Sequence, residues 1–253
     1  MALKVAVLVR QVPDHEATVR VEGDGLEIED RWVTSFFDEI AVEAAVSLVQ
    51  GIPGAQIKAF SAGGRRAVEA LRRAMAMGID EVEQVADEAL EGASGLPVAR
   101  ALCAALSRWR PDLVLCGKQA GDDDMGAVGP MVSALLGVPV VSGATSLAVD
   151  AAARKVRLTR GADGERWIVE AGLPLVVTAE KGLAEPRVPV VMRVMKAMRA
   201  PVPAVTPAEL GVDPGPAGAR RLRYLPPPSR PEVRMCESVD ELACLLRQRG
   251  VLS

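Results

Sequence analysis

The chain has 253 residues, 49% hydrophobic and 25% charged, an ordinary balance for one large α/β domain or a domain with an arm. A net charge of −3 and only 3% aromatic residues argue against a nucleic-acid surface, which needs a basic field and stacking rings. A single histidine, His15, makes a Ser-His-Asp triad or a multi-histidine metal centre a poor expectation. Cys103, Cys116, Cys236 and Cys244 lack C-x-x-C spacing, so a reducing cytoplasm without disulfides or zinc is expected.

Residues 4–12, KVAVLVRQV, form a near-continuous apolar run, as in a strand buried on both faces. The run is short, ends near Arg10 and lacks a small-residue cleavage site, so it reads as a first strand and not as a secretory signal. After a polar stretch, Ile40, Ala44, Val46 and Leu48 give a helical stripe that Thr34 or Ser35 can cap and Gly51 can end. A second strand over 55–64 runs into Gly63-Gly64, and a second helix closes at Gly78. A short strand over 80–87, a helix over 96–109, a strand over 111–118 and a helix starting at 128 follow.

The alternation of strands and helices predicts an α/β fold with a doubly wound, mostly parallel sheet. Two alternating runs flank GADGE within 155–171, predicting a β-hairpin insertion, and 172–182 is a further apolar strand. Residues 1–183 are thus expected to form one α/β domain, whose nucleotide binding is implied only by the family resemblance given below. From 184 to 253 the chain turns proline-rich but keeps apolar patches, which suggests an extended arm packed on another subunit. Ser238 and Glu241 form a capping-box pattern for a final helix over 238–250. No run of about 18 apolar residues exists, so membrane insertion is not expected.

In an open parallel sheet, ligands sit beyond the carboxyl ends of the strands. Three segments fall there: RQVPDHEA, SAGGRR and GKQAGDDDMGAVG. Gly63 and Gly64 at a helix start can present N–H groups to an anion. The SAGGRR loop is similar to the Ser-Gly-Gly loop of adenine-binding ATP enzymes, but Arg65 and Arg66 replace the residues such enzymes need. Adjacent aspartates at 122–124 point in different directions, so a metal site is disfavoured, and Asp124 is placed to cap the next helix. Lys118 and Gln119 read as polar ligand contacts at a strand end.

RWVTSFFDEIAVEAAVSL, LRRAMAMGID, PDLVLCGKQAGDDD, LPLVVTAEKGLAEPR and VMKA together resemble the β subunit of electron transfer flavoproteins, from about residue 4 to residue 250. The resemblance implies an adenine-nucleotide α-hydrolase-like fold and a heterodimer with an α subunit that holds most of one FAD. It also implies an electron carrier, not an enzyme, that links flavin dehydrogenases, such as those of fatty acid oxidation, to a membrane quinone reductase. In one branch of the family the β subunit buries a structural AMP; in a bifurcating branch a second FAD takes that place and NADH is oxidised.

The resemblance places AMP or nucleotide contacts on Leu8, Val9, Ser35, Ala62, Gly63 and the run Asp122, Asp124, Met125, Gly126, Ala127, Val128, Gly129. It puts His15 beside the flavin. It puts a partner recognition loop on Val190 to Lys196, with Val191 as the anchor and Met192 and Met195 beside it. Two departures bear on the occupant of the pocket. Met125-Gly126-Ala127-Val128 stand where AMP-binding members carry Asn-Gln-Thr, and VGP at 128–130 looks like the bifurcating branch. Ser35 replaces the family's usual asparagine. A free-standing nucleotide-binding or ATP-hydrolysing domain is the remaining alternative.

Overall fold

The structure is a computed structural model and describes residues 2–91, 93, 95–216, 222–229 and 233–252. The strands are β1 (Lys4–Leu8), β2 (Gln11–Pro13), β3 (Val19–Glu22), β4 (Gly25–Ile28), β5 (Trp32–Thr34), β6 (Gln56–Ala62), β7 (Glu81–Val85), β8 (Leu113–Gly117), β9 (Val140–Asp150), β10 (Lys155–Ala162), β11 (Glu165–Gly172), β12 (Leu175–Ala179) and β13 (Ala204–Val205). The helices are α1 (Phe36–Gln50), α2 (Arg65–Met77), α3 (Gly95–Trp109), α4 (Val128–Leu136), α5 (Val191–Arg199) and α6 (Val239–Gln248).

One sheet of nine strands runs in the order β11-β10-β9-β12-β8-β1-β6-β7-β13. β9, β10 and β11 pair antiparallel, and the remaining pairs are parallel. The chain steps from β1 outward through β6 to β7, then returns to place β8 on the other side of β1. This order bears out the α/β expectation and puts a topological switch point between β1 and β8.

The apolar runs of β1 and β8 follow from burial on both faces. Val5 and Val7 join Ile40, Ala44 and Leu71 in one cluster, while Ala6 and Leu8 join Ala99, Leu102, Leu106 and Val132 in the other. Leu71, Leu106 and Leu113 are fully buried, each contributing about 1.5–3 kcal/mol.

The first expected strand ends at Leu8, four residues early, because Val9 turns its N–H to Phe60 O (3.0 Å) and the chain then pairs β2 with β5. β9 was not expected: Gly143, with φ +70, breaks the alternation that would reveal it. The hairpin β10–β11 lies where the GADGE signal placed it.

The chain divides into two compact units. One holds residues up to 19 and the described residues from 28 to 216; the other holds 20–27 and the described residues from 222 onward. The packing boundary thus differs from the expected arm start at 184, because α5 docks on α2 and β13 pairs with β7. Arg187 in the same stretch also clamps Glu43 of α1. In the second unit, Ser238 Oγ accepts the Glu241 N–H at 3.2 Å and starts α6, which buries none of its residues. Residues 217–221, 230–232 and 253 of the expected arm lie outside the described residues. No helix among the described residues is long and apolar enough to cross a membrane.

Candidate functional site

The carboxyl ends of β1, β6 and β8 lie side by side at the switch point, and backbone bonds tie neighbouring segments to them. Ser35 N–H donates to Arg10 O at 3.0 Å, and Gly63 N–H donates to Val85 O at 3.0 Å. Asp38 is the hub. Its Oδ2 accepts the Arg10 N–H (3.0 Å) and its Oδ1 accepts the Gly117 N–H (2.8 Å), so one buried carboxylate spans the ends of β1 and β8. Burial pushes Asp38 up to about 7, against the two amides that stabilise its charge.

The acidic run divides as its local geometry dictates. Arg10 pairs with Asp122 and Asp123, while Asp124 accepts from Gln119 Nε2 at 2.5 Å. The three carboxylates therefore do not face one ion. Asp124 and Gly126 both adopt left-handed backbone, φ +54 and +58, which curls the loop. Asp124 does not cap α4, contrary to expectation, because that curl leaves Ala127 at the cap position with no side-chain bond. Gly129 must be glycine: a Cβ there would sit 2.7 Å from Thr178 Cγ2 and 2.9 Å from Cys116 Sγ.

Ser35 holds the cap position of α1 but its hydroxyl makes no cap bond. Instead Thr34 Oγ1, Ser35 Oγ and Ser61 Oγ are buried without a partner among the described residues, at the ends of β5 and β6. The N-terminus of α2 is filled from within: Gly64 N–H donates to Glu91 Oε2 at 3.0 Å, and Arg66 pairs with Glu91. Gln84 Nε2 holds the Gly63 and Gly64 carbonyls at 2.7 and 3.0 Å. The anion expected at Gly63-Gly64 is thus met by the chain's own carboxylate.

The expected nucleotide residues separate into two settings. Leu8, Val9, Ser35, Ala62 and Gly63 belong to the strand ends around β1 and β6, and Arg10 draws Asp122 toward them. Lys118, Gln119, Asp124, Met125 and Gly126 line a cleft with Ser142, Gly143, Arg160, Thr178 and Glu180. Ala127, Val128 and Gly129 start α4.

The remaining expected residues lie elsewhere. His15 is 90% exposed and contacts Asp14 at 3.2 Å. Val190 precedes α5 and Val191, Met192, Met195 and Lys196 lie on it, so the expected loop is mostly helix. The run from 190 to 200 contains no proline or glycine, and Pro189 and Pro201 bound it. Val191 is 77% and Met192 84% exposed, while Ala197 faces inward.

Sequence reasoning did not single out Arg10, Asp38 or Arg160. A signal existed for Asp38, a carboxylate directly after Phe36-Phe37 in the first turn of a largely apolar helix. Arg160 depends on strand register, which local pattern does not report.

An electron transfer flavoprotein domain model matches residues 26–210. That span holds β5 to β13, including the switch-point helix α1 and the glycine and aspartate loops. The chain belongs to the electron transfer flavoprotein β-subunit family. It is 37% identical over 214 residues to the electron transfer flavoprotein subunit beta of Bradyrhizobium diazoefficiens, covering 83% of this chain and 84% of that one. It is 31% identical over 255 residues to the Dictyostelium discoideum subunit beta, covering 100% of each. With the Homo sapiens subunit beta it shares 34% over 257 residues, 98% of each chain. In this member of the flavoprotein family, Asp38 and Arg10 tie the end of β1 to β8 and to the acidic run.

Proposed function

We propose that this chain is the β subunit of a heterodimeric electron transfer flavoprotein. It pairs with an α subunit that holds most of one FAD. The pair carries electrons from flavin dehydrogenases, such as acyl-CoA dehydrogenases of fatty acid oxidation, to a membrane quinone reductase, in a reducing cytoplasm. In this reading the chain is a carrier subunit and not itself an enzyme, and it buries an AMP at the switch point. FAD supplies the redox chemistry when bound, so the chain needs no nucleophile or acid–base pair of its own.

The observation that carries this reading is the set of buried, partnerless hydroxyls on Thr34, Ser35 and Ser61 at the strand ends. A buried unsatisfied polar group costs about 1–3 kcal/mol, and a nucleoside offers the partners. The small residue Ala127, at the cap position of α4, lets the helix-start N–H groups approach a phosphate. The donor set therefore fits AMP. For the flavin the chain offers a wall: His15 is exposed enough to lie against a ring held by the partner. The exposed face of α5 from Val190 to Lys196 suits docking to a dehydrogenase, and the unburied α6 suits a segment that packs on the α subunit.

A second reading keeps the family and changes the occupant. Gly126 and Ala127, where AMP-binding members carry larger polar side chains, favour a bifurcating subunit with a second FAD and NADH oxidation. The deciding experiment counts the nucleotides released on denaturing the purified heterodimer. One FAD and one AMP support the carrier reading; two FAD transfer the chain to the bifurcating branch. ATP hydrolysis by the chain alone, with no partner and no flavin, would sink both.

A further inference from the structure

The methionines of the chain differ in setting. Met77 is 1% exposed inside the core, and Met75 and Met131 pack against the two core clusters. Met192, Met195 and Met198 are 84%, 46% and 61% exposed, and all three lie on α5. At about 100° per residue, a spacing of three strings them along an arc of about 120° of the helix surface. Val191 falls inside that arc, between Met195 and Met198 in projection. Ala197, the buried residue of α5, falls outside it.

Two of the sulfurs have a cation one turn further on. Lys196 follows Met192 by four residues and Arg199 follows Met195 by four, the spacing at which helical side chains meet. The Lys196 pair with Asp80 is long, 3.8 Å, and exposed on both sides, so it holds the ammonium weakly. A thioether is a poor acceptor for such cations. A sulfoxide oxygen is polar, and exposure decides which methionines a dissolved oxidant can convert.

We propose that Met192, Met195 and Met198 form a modification site for hydrogen peroxide that switches off docking through α5. A sulfur lone pair attacks one peroxide oxygen, the O–O bond breaks and an S–O bond forms. The proton on the attacked oxygen passes to the departing one, which leaves as water. The sulfur gives up two electrons and peroxide takes them. Three sulfoxides then surround Val191 with polar oxygens, two of them within helical reach of Lys196 and Arg199. An apolar anchor needs a dry rim, and this one becomes wet. The arc lies away from Ala197, where α5 packs inward, so the fold is kept. Sulfoxides are returned to thioethers by dedicated reductases, so the switch is reversible. It rests on the docking reading of α5 and holds whichever nucleotide the switch point takes.

The test exposes the purified heterodimer, with its co-expressed α subunit and its flavin, to hydrogen peroxide for timed intervals. Peptide mass spectrometry follows each methionine, and stopped-flow reduction by a reduced acyl-CoA dehydrogenase follows electron uptake. The α5 methionines gain oxygen well before Met77, and uptake slows about tenfold while the flavin spectrum is unchanged. Treatment with methionine sulfoxide reductase restores the rate. Met125 and Met235 are exposed too, so a triple variant, Met192→Leu with Met195→Leu and Met198→Leu, isolates the α5 sites. Whatever its own starting rate, that variant keeps it after peroxide. The proposal falls if the α5 methionines oxidise no faster than Met77, or if the triple variant slows as wild type does. It falls also if wild type keeps its rate with all three oxidised, and Val191→Ala then tells the two readings apart. Slowed uptake in Val191→Ala leaves docking at α5 standing and sinks the switch alone; unaltered uptake sinks both.

Discussion

Arg187 grips Glu43 across 144 residues of sequence: its Nε donates to Glu43 Oε2 at 2.6 Å and its Nη2 to Glu43 Oε1 at 2.7 Å. The Arg187 backbone N–H adds a bond to Oε2 at 3.2 Å, and Ser47 Oγ donates to Oε1 at 2.9 Å. This two-pronged pair ties the EPR segment to the buried side of α1, and Glu43 retains few lone pairs for water.

Arg187→Ala should therefore leave a nearly buried carboxylate unpaired. The expected cost is about 2 kcal/mol, below the full buried-pair penalty because Arg187 is partly exposed. Its bonds from Arg187 hold the Glu43 carboxyl below the usual carboxylate range. The stability it contributes is present above the unfolded carboxylate range and is lost as pH falls through the lowered folded value. Urea midpoints at neutral and acid pH, for wild type and variant, check both size and sign; an equal loss at acid pH would refute the ion-pair account.

Asp38 has the opposite sign. Its folded pKa is raised to about 7 by burial, so between about pH 4 and pH 7 the folded chain holds a proton that the unfolded chain has released. Stability falls with rising pH across that window and is flat above it. The full shift corresponds to about 4 kcal/mol. Asp38→Asn removes the slope but turns an amide donor toward one of the Arg10 and Gly117 N–H groups. Thermal unfolding from pH 4 to 8 should show the slope in wild type only; parallel curves would count against it.

Gly129→Ala forces a methyl into Thr178 and Cys116, and the start of α4 must move. Overpacking of this kind costs about 1–3 kcal/mol. The variant should also hold its nucleotide more weakly, because Ala127 and Val128 move with the helix start. Nucleotide content after gel filtration checks this, and wild-type retention would show that α4 takes no part.

Val191→Ala should slow electron uptake from a flavin dehydrogenase about tenfold, since an exposed anchor side chain is worth about 1–2 kcal/mol at a docking surface. The flavin spectrum should not change. Stopped-flow reduction at several dehydrogenase concentrations reads it directly, and an unaltered rate would remove α5 from the docking surface.

Much of the fold is legible in the sequence because burial on both faces leaves a continuous apolar run. β1, β8 and β12 were expected for that reason, and α3 for its uninterrupted length. β9 escaped because Gly143 interrupts its pattern at a bulge. α5 was expected as a recognition loop, although its methionines three residues apart already matched one helical face.

By itself, the sequence determined the α/β alternation, the hairpin turn, the family motifs and the glycine and aspartate loop, all properties of neighbours in the chain. The tertiary structure decided which of those loop residues share a setting. Arg10 meets Asp122, Asp38 bridges Arg10 to Gly117, and Arg160 stands at the cleft without an ion pair among the described residues, all through strand order and register. Hydrogen bonds and ion pairs act over about 3 Å, and which groups come that close is settled by how distant segments pack, not by their order along the chain.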